Sequence, residues 1–205
     1  AVEAIHSEDR IMVITESGML LVYRLSDFDL IGEYNLSAQG TGAMSPGVWD
    51  DTLPSYVSVI EGDSTWIAHG CDLFWRADNT SFNNWSFHDL CNTNPSQAPF
   101  SSIHATSDAV YLGTDGDGLI ILERSEDEST VEIAWSNTTY HSTGTGVTST
   151  IRSDSISSIE TMGEQILIAG EGGVDRHHLP SNSWLSPWTT SNWLNSNDVG
   201  DLLTI

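Results

Sequence analysis

VYLGTDGDGLIIL, from Val110 to Leu122, holds two apolar runs joined by a turn of alternating aspartate and glycine. Apolar runs of this length, cut by a Gly-rich pair of turns, read as two strands of a hairpin. Glycine in the turn supplies the positive φ that tight hairpins need. Three further stretches have the same form: IMVITESGMLLVY at Ile11–Tyr23, TWIAHGCDLFW at Thr65–Trp75 and ILIAGEGGVDRHH at Ile166–His178. Anchored on Ile14, Ala68, Gly113 and Ala169, the copies follow each other at 54, 45 and 56 residues.

Each hairpin is preceded by another short strand signal: VEAI at Val2–Ile5, YVSVI at Tyr56–Ile60, FSSI at Phe100–Ile103 and ISSI at Ile156–Ile159. Each is followed by a stretch tipped with aromatics, such as Leu30 with Tyr34 and Trp184 with Trp188. That makes four strands per unit. A repeat of this length, with several strands in each copy, predicts an all-β fold: a β-propeller segment of about four blades, each of four antiparallel strands. The expected blades are 1–36, 55–88, 99–136 and 155–189, within one partial propeller domain spanning 1–205. Asn197–Ile205, NDVGDLLTI, resembles the inner strand of a further blade, so the chain reads as part of a larger propeller.

The copy SSIHATSDAVYLGTDGDGLIIL, Ser101–Leu122, resembles the two-component regulator propeller repeat. ISSIETMGEQILIAGEGGV, Ile156–Val174, is similar to it as well. The first two copies depart, with Ile14-Thr15 and Ala68-His69 where the pattern has Gly-Thr. The resemblance implies an extracytoplasmic sensing or ligand-binding propeller, often joined to signalling domains.

Composition narrows the function. The formal charge is −23, and all six basic residues are arginines. Phosphate backbones need a basic patch, so nucleic acid is not the expected partner. Anionic membrane surfaces are disfavoured for the same reason. No run approaches the ~18 apolar residues of a membrane-spanning helix, and no membrane insertion is expected. An acidic, lysine-free surface suits solubility in saline water, as in a marine or halophilic source. The two cysteines, Cys71 and Cys91, fall within one repeat. They read either as a disulfide within that blade or as two unpaired thiols. Sequons at Asn35, Asn79, Asn84 and Asn137 are compatible with export. The expected location is extracellular or at the cell surface.

Few residues stand out as chemistry. Asp115 and Asp117, with glycines between and after them, could offer hard oxygen ligands to Ca²⁺, though the same residues make an ordinary hairpin turn. No cofactor is otherwise implied. His177 and His178 are adjacent on a strand and so point to opposite faces, which is a poor chelate. No nucleophile elbow is present. By analogy with propellers in general, ligands gather where the central hairpin turns and the connections between blades meet. That places Glu16, His69, Asp72, Asp115, Asp117 and Glu171 as candidate contacts, with the loop tryptophans Trp49 and Trp193. The expected role is recognition or scaffolding of a protein or glycan ligand, or of further blades of the same polypeptide, rather than catalysis. The alternative is a propeller-scaffold glycosidase or polysaccharide lyase that uses acidic residues at the channel mouth.

Overall fold

The computed structural model of the chain describes residues 3–7, 9–15, 17–36, 55–60, 64–77, 85–90, 98–126, 133–141 and 151–203. Their regular structure is sixteen strands in four sheets. The first sheet holds β1 (Glu3–Ser7), β2 (Arg10–Ile14), β3 (Met19–Arg24) and β4 (Leu30–Asn35). The second holds β5 (Ser55–Ile60), β6 (Ser64–His69), β7 (Asp72–Ala77) and β8 (Ser86–Asp89). The third holds β9 (Phe100–Ala105), β10 (Ala109–Thr114), β11 (Leu119–Glu126) and β12 (Ile133–His141). The fourth holds β13 (Ile156–Met162), β14 (Gln165–Gly170), β15 (Gly173–His178) and β16 (Ser183–Trp188). Within each sheet the strands lie in sequence order and every pairing is antiparallel. Each sheet is one copy of the repeat.

The chain divides into two compact units, 1–99 and 100–205. In the first, one core joins its two sheets. Met12, Ile14, Leu20 and Val22 of the first sheet pack with Val57, Ile67 and Phe74 of the second, and Tyr34, Trp85 and Phe87 complete the cluster. Alternation along the strand decides which residues take part: Met12 and Ile14 share one face of β2 and are buried, while Ile11 and Val13 are only half-buried.

The second unit repeats this arrangement. Tyr111, Leu119 and Ile121 of the third sheet pack against Ile156, Ile159, Ile166 and Ile168 of the fourth. The other face of the fourth sheet carries Leu167, Ala169 and Val174, and these are covered by Leu194, Val199 and Leu202. A sheet buried on both faces reads as a continuous apolar run, and β10 and β14 do. Each fully buried Leu or Ile in such a layer contributes roughly 1.5–3 kcal/mol relative to leaving it in water.

The innermost strands of this unit share an irregularity. Register shifts leave Ser101 of β9 and Ser157 of β13 unpaired with the neighbouring strand, so each is a bulge. The bulged hydroxyls reach forward along the repeat. Ser101 Oγ donates to the carbonyl of Ile156, and Ser157 Oγ donates to the carbonyl of Val199. Residues 197–203 form no strand. They nevertheless stand to β13 as β13 stands to β9. Val199 N donates to the Gly170 carbonyl at 3.3 Å, and Ser158 Oγ bonds Asp201 Oδ1 at 3.1 Å. A strand is defined by its ladder, and among the described residues no following strand provides one.

Sheet limits differ from the repeat-based ones at two outer strands. β12 runs on to His141, past the expected 136, and β8 ends at Asp89, one residue past the expected 88. Outer strands carry the weakest apolar pattern, because one of their edges has no neighbour to dictate it.

Candidate functional site

The candidate site is built in the second unit, where the β10–β11 turn meets the connection entering β13. Thr114 shapes that turn. Its amide bonds the Gly118 carbonyl at 3.0 Å, its hydroxyl donates to the same carbonyl at 2.8 Å, and it accepts from Asp117 N at 3.0 Å. Gly116 and Gly118 take φ of 120° and 92°, which bulky residues avoid. The turn is then fastened to the next blade. Gly116 N and Gly118 N donate to the Asp154 carbonyl at 3.0 and 2.7 Å, and Ser155 Oγ donates to Asp115 Oδ1 at 3.0 Å. Asp115 and Ser155 form an isolated antiparallel bridge.

The connection itself is moored from beneath by Asp175. This carboxylate sits on β15 with 6% of its surface exposed. It accepts from Arg152 N at 2.8 Å and lies 3.8 Å from Arg152 Nε. Burial pushes its pKa above the usual carboxylate range, opposed by the Arg152 amide and charge. Above it, Gly172 of the β14–β15 turn lies so close to Arg152 that a Cβ there would collide with the Arg152 side chain and carbonyl. Asp115, Asp117, Asp154, Arg152 and Glu171 thus come from two hairpin turns and the connection that touches both, and they form one predominantly acidic rim.

A polar row runs through the body of the same unit. His104 of β9 and Tyr111 of β10 are paired across their strands. His104 Nε2 bonds Thr161 Oγ1 of β13 at 2.6 Å. The Tyr111 hydroxyl faces His177 Nδ1 at 3.5 Å, and His177 Nε2 donates to Asn182 Oδ1 at 2.9 Å. Burial holds both histidines below their ordinary pKa. Burial, with Glu123 and Asp108 nearby, pushes the Tyr111 phenol up to about 12.

The sequence-derived candidates separate. Asp115 and Asp117 share the β10–β11 turn, Asp115 exposed and Asp117 half-buried, and Glu171 is exposed on the next turn. Trp193 is 77% exposed, on a turn closed by bonds from Asn192, Trp193 and Leu194 amides to the Thr189 carbonyl. His69 and Asp72 belong to the first unit, where they face each other at the base of the β6–β7 hairpin. His69 is buried, with Nδ1 2.9 Å from Ser55 Oγ. Cys71, in the same turn, is disulfide-bonded. Glu16, Trp49 and Cys91 lie outside the described residues. Among the described residues no three His, Cys, Asp or Glu side chains gather as a metal site, and no helix is long and apolar enough to cross a membrane.

Repeat reading missed Asp175, although the signal was present. The equivalent positions, one step past the central turn, hold Leu21, Phe74 and Ile120. A carboxylate where three copies are apolar marks a special contact. Arg152 and the bulged serines carry no comparable mark.

Four-stranded antiparallel sheets stacked face to face within each unit, one per repeat, have the architecture of propeller blades. Solved structures agree. The chain is similar to the Neurospora crassa Pan2 WD40 domain, with a TM-score of 0.54 and 12% identity over 90% of this chain and 50% of that one. The fold is a β-propeller. Likeness to the computationally designed Ika8 protein has a TM-score of 0.59 and 9% identity, covering 100% of this chain and 52% of that one. This propeller chain therefore spans about half the length of the solved structures it matches. No family model and no curated protein sequence matches it.

Proposed function

We propose that this propeller segment is a recognition or scaffold module whose binding surface is the acidic rim of the second unit. The observation that carries the reading is the fastening of the β10–β11 turn to the β13 connection through Asp115, Ser155 and Asp154. Rigid loops on a packed scaffold lose little conformational entropy on binding, which favours recognition. The rim offers carboxylates with a single arginine, so its partner is a protein segment or glycan carrying donors or positive charge. Trp193 adds an exposed aromatic face in the same unit.

The finer reading is an exported sensor propeller of the two-component regulator type, with further blades of the same polypeptide as additional partners. Support comes from the quoted repeats, the disulfide at Cys71 and the acidic surface. Binding rather than catalysis is the proposed activity, because Asp115 is a turn residue whose carboxylate accepts from Ser155 and Asp117 is fixed through its amide to Thr114.

Glycan and peptide arrays probed with the purified chain, with and without Ca²⁺, test this. Binding should weaken at least tenfold in the double variant Asp115→Ala, Asp117→Ala. Hits that keep full affinity in that variant would place the interaction elsewhere, and silence on both arrays would refute the recognition role. Bond cleavage by the wild-type chain in a broad glycan-hydrolysis screen would overturn the non-catalytic reading.

A further inference from the structure

We propose that the junction between the third and fourth blades is an acid-sensitive joint, closed while His104 and His177 are neutral and loosened when they take up protons. Both histidines cross the same junction. His104 reaches from β9 to Thr161 of β13, and His177 of β15 faces the Tyr111 hydroxyl of β10. His177 is also enclosed by rings, with centroids 5.0 Å from Trp184 and 6.2 Å from Tyr111.

The hydrogen bonds set the tautomer of the neutral His177 ring. Its Nε2–H donates to Asn182 Oδ1, so Nδ1 is the acceptor, and the Tyr111 hydroxyl donates to it. Protonation reverses the bond to Tyr111, so that Nδ1–H donates to the hydroxyl oxygen, and it puts a charge into an apolar layer formed by Leu119, Ile121, Ile159 and Ile166. Among the described residues no carboxylate acts on the ring. Tyr111 comes from β10, with Glu123 and Asp108 acting on its phenol. Asn182 and Trp184 come from the β15–β16 hairpin, and His178 is the chain neighbour, which repels a second positive charge. His104 feels burial alone. Asp175, two residues before His177, is committed to Arg152.

The linkage has a definite sign. Both histidines have folded pKa values below the ordinary 6.5. Between that value and the lowered ones, the separated state binds more protons, so the joint weakens as pH falls through about 6.5. Asp175 acts in the opposite direction, because its raised pKa favours the closed form as it is protonated, nearer the carboxylate range. The histidine effect is therefore read between pH 7.5 and 5.5. The Asp115–Ser155 contact spans the same junction, so opening it would also release the acidic rim.

Hydrogen exchange of the whole chain at pH 7.5 and 5.5, corrected for intrinsic rates, tests the joint. Amides of β10 and β13 should lose at least tenfold in protection at the lower pH, with those of β6 and β7 changing less. The double variant His104→Gln, His177→Gln should abolish the difference. Equal loss in that variant, or none in the wild type, overturns the proposal. Imidazole NMR titration of the unmodified chain reads the same point without relying on a variant's fold. Both rings should titrate below free histidine, and either one titrating at or above it contradicts the joint.

Discussion

Asp175 shows how one side chain can depart from its repeat and organise its surroundings. Leu21, Phe74 and Ile120 bury apolar surface at the equivalent position, whereas Asp175 gives up that gain and fastens the Arg152 amide instead. Asp175→Ala leaves that amide without its acceptor and should lower stability by about 1–3 kcal/mol in urea unfolding. Asp175→Asn, which keeps an acceptor oxygen, should cost less, and an equal loss in both would refute the mooring role. Gly113 is governed by space. A Cβ there would meet Ser102 Oγ and Ile156 Cγ2, the latter in the next blade. Gly113→Val should therefore cost about 1–3 kcal/mol through overpacking, measurable by thermal unfolding. The alternation that separates buried His177 from half-buried His178 was legible from adjacency alone. That Tyr111 would meet His177 was not, because the contact joins two blades and no sequence spacing encodes it.

Strands and hairpin turns were the most legible elements, since period-two patterning and turn glycines are local signals. The bulges at Ser101 and Ser157 were not. A serine in an inner strand looks the same whether it is paired or extruded, and the deciding contact lies more than 40 residues away in the sequence. Ser157→Ala should release 197–203 from β13 and raise protease cleavage within that stretch, leaving β14–β15 protected. Unchanged cleavage would show that apolar cover by Leu194, Val199 and Leu202 suffices. In the second blade, Cys71→Ser should lower the unfolding free energy by ~3 kcal/mol, the loop-closure contribution of a disulfide. The chain's other cysteine, Cys91, lies outside the described residues.

Across the molecule, the repeat revealed blade number and strand count because each blade must bury both faces and therefore repeats its apolar pattern. The binding face was only partly legible, since surface turns answer to no packing constraint and their carboxylates are numerous. The charge of −23 predicts a bulk property directly. Self-repulsion among 29 acidic residues should make the unfolding midpoint rise as NaCl increases from about 0.05 to 1 M, and a flat response would mean the carboxylates are too dispersed to matter. Everything proposed for the rim and the joint depends on the third and fourth blades stacking face to face. Proton NOE spectroscopy of the folded chain measures that stacking. Cross-peaks between the Tyr111 and His177 rings, whose centroids lie 6.2 Å apart, are the predicted result. Their absence, with the cross-strand peaks inside each blade intact, would contradict it.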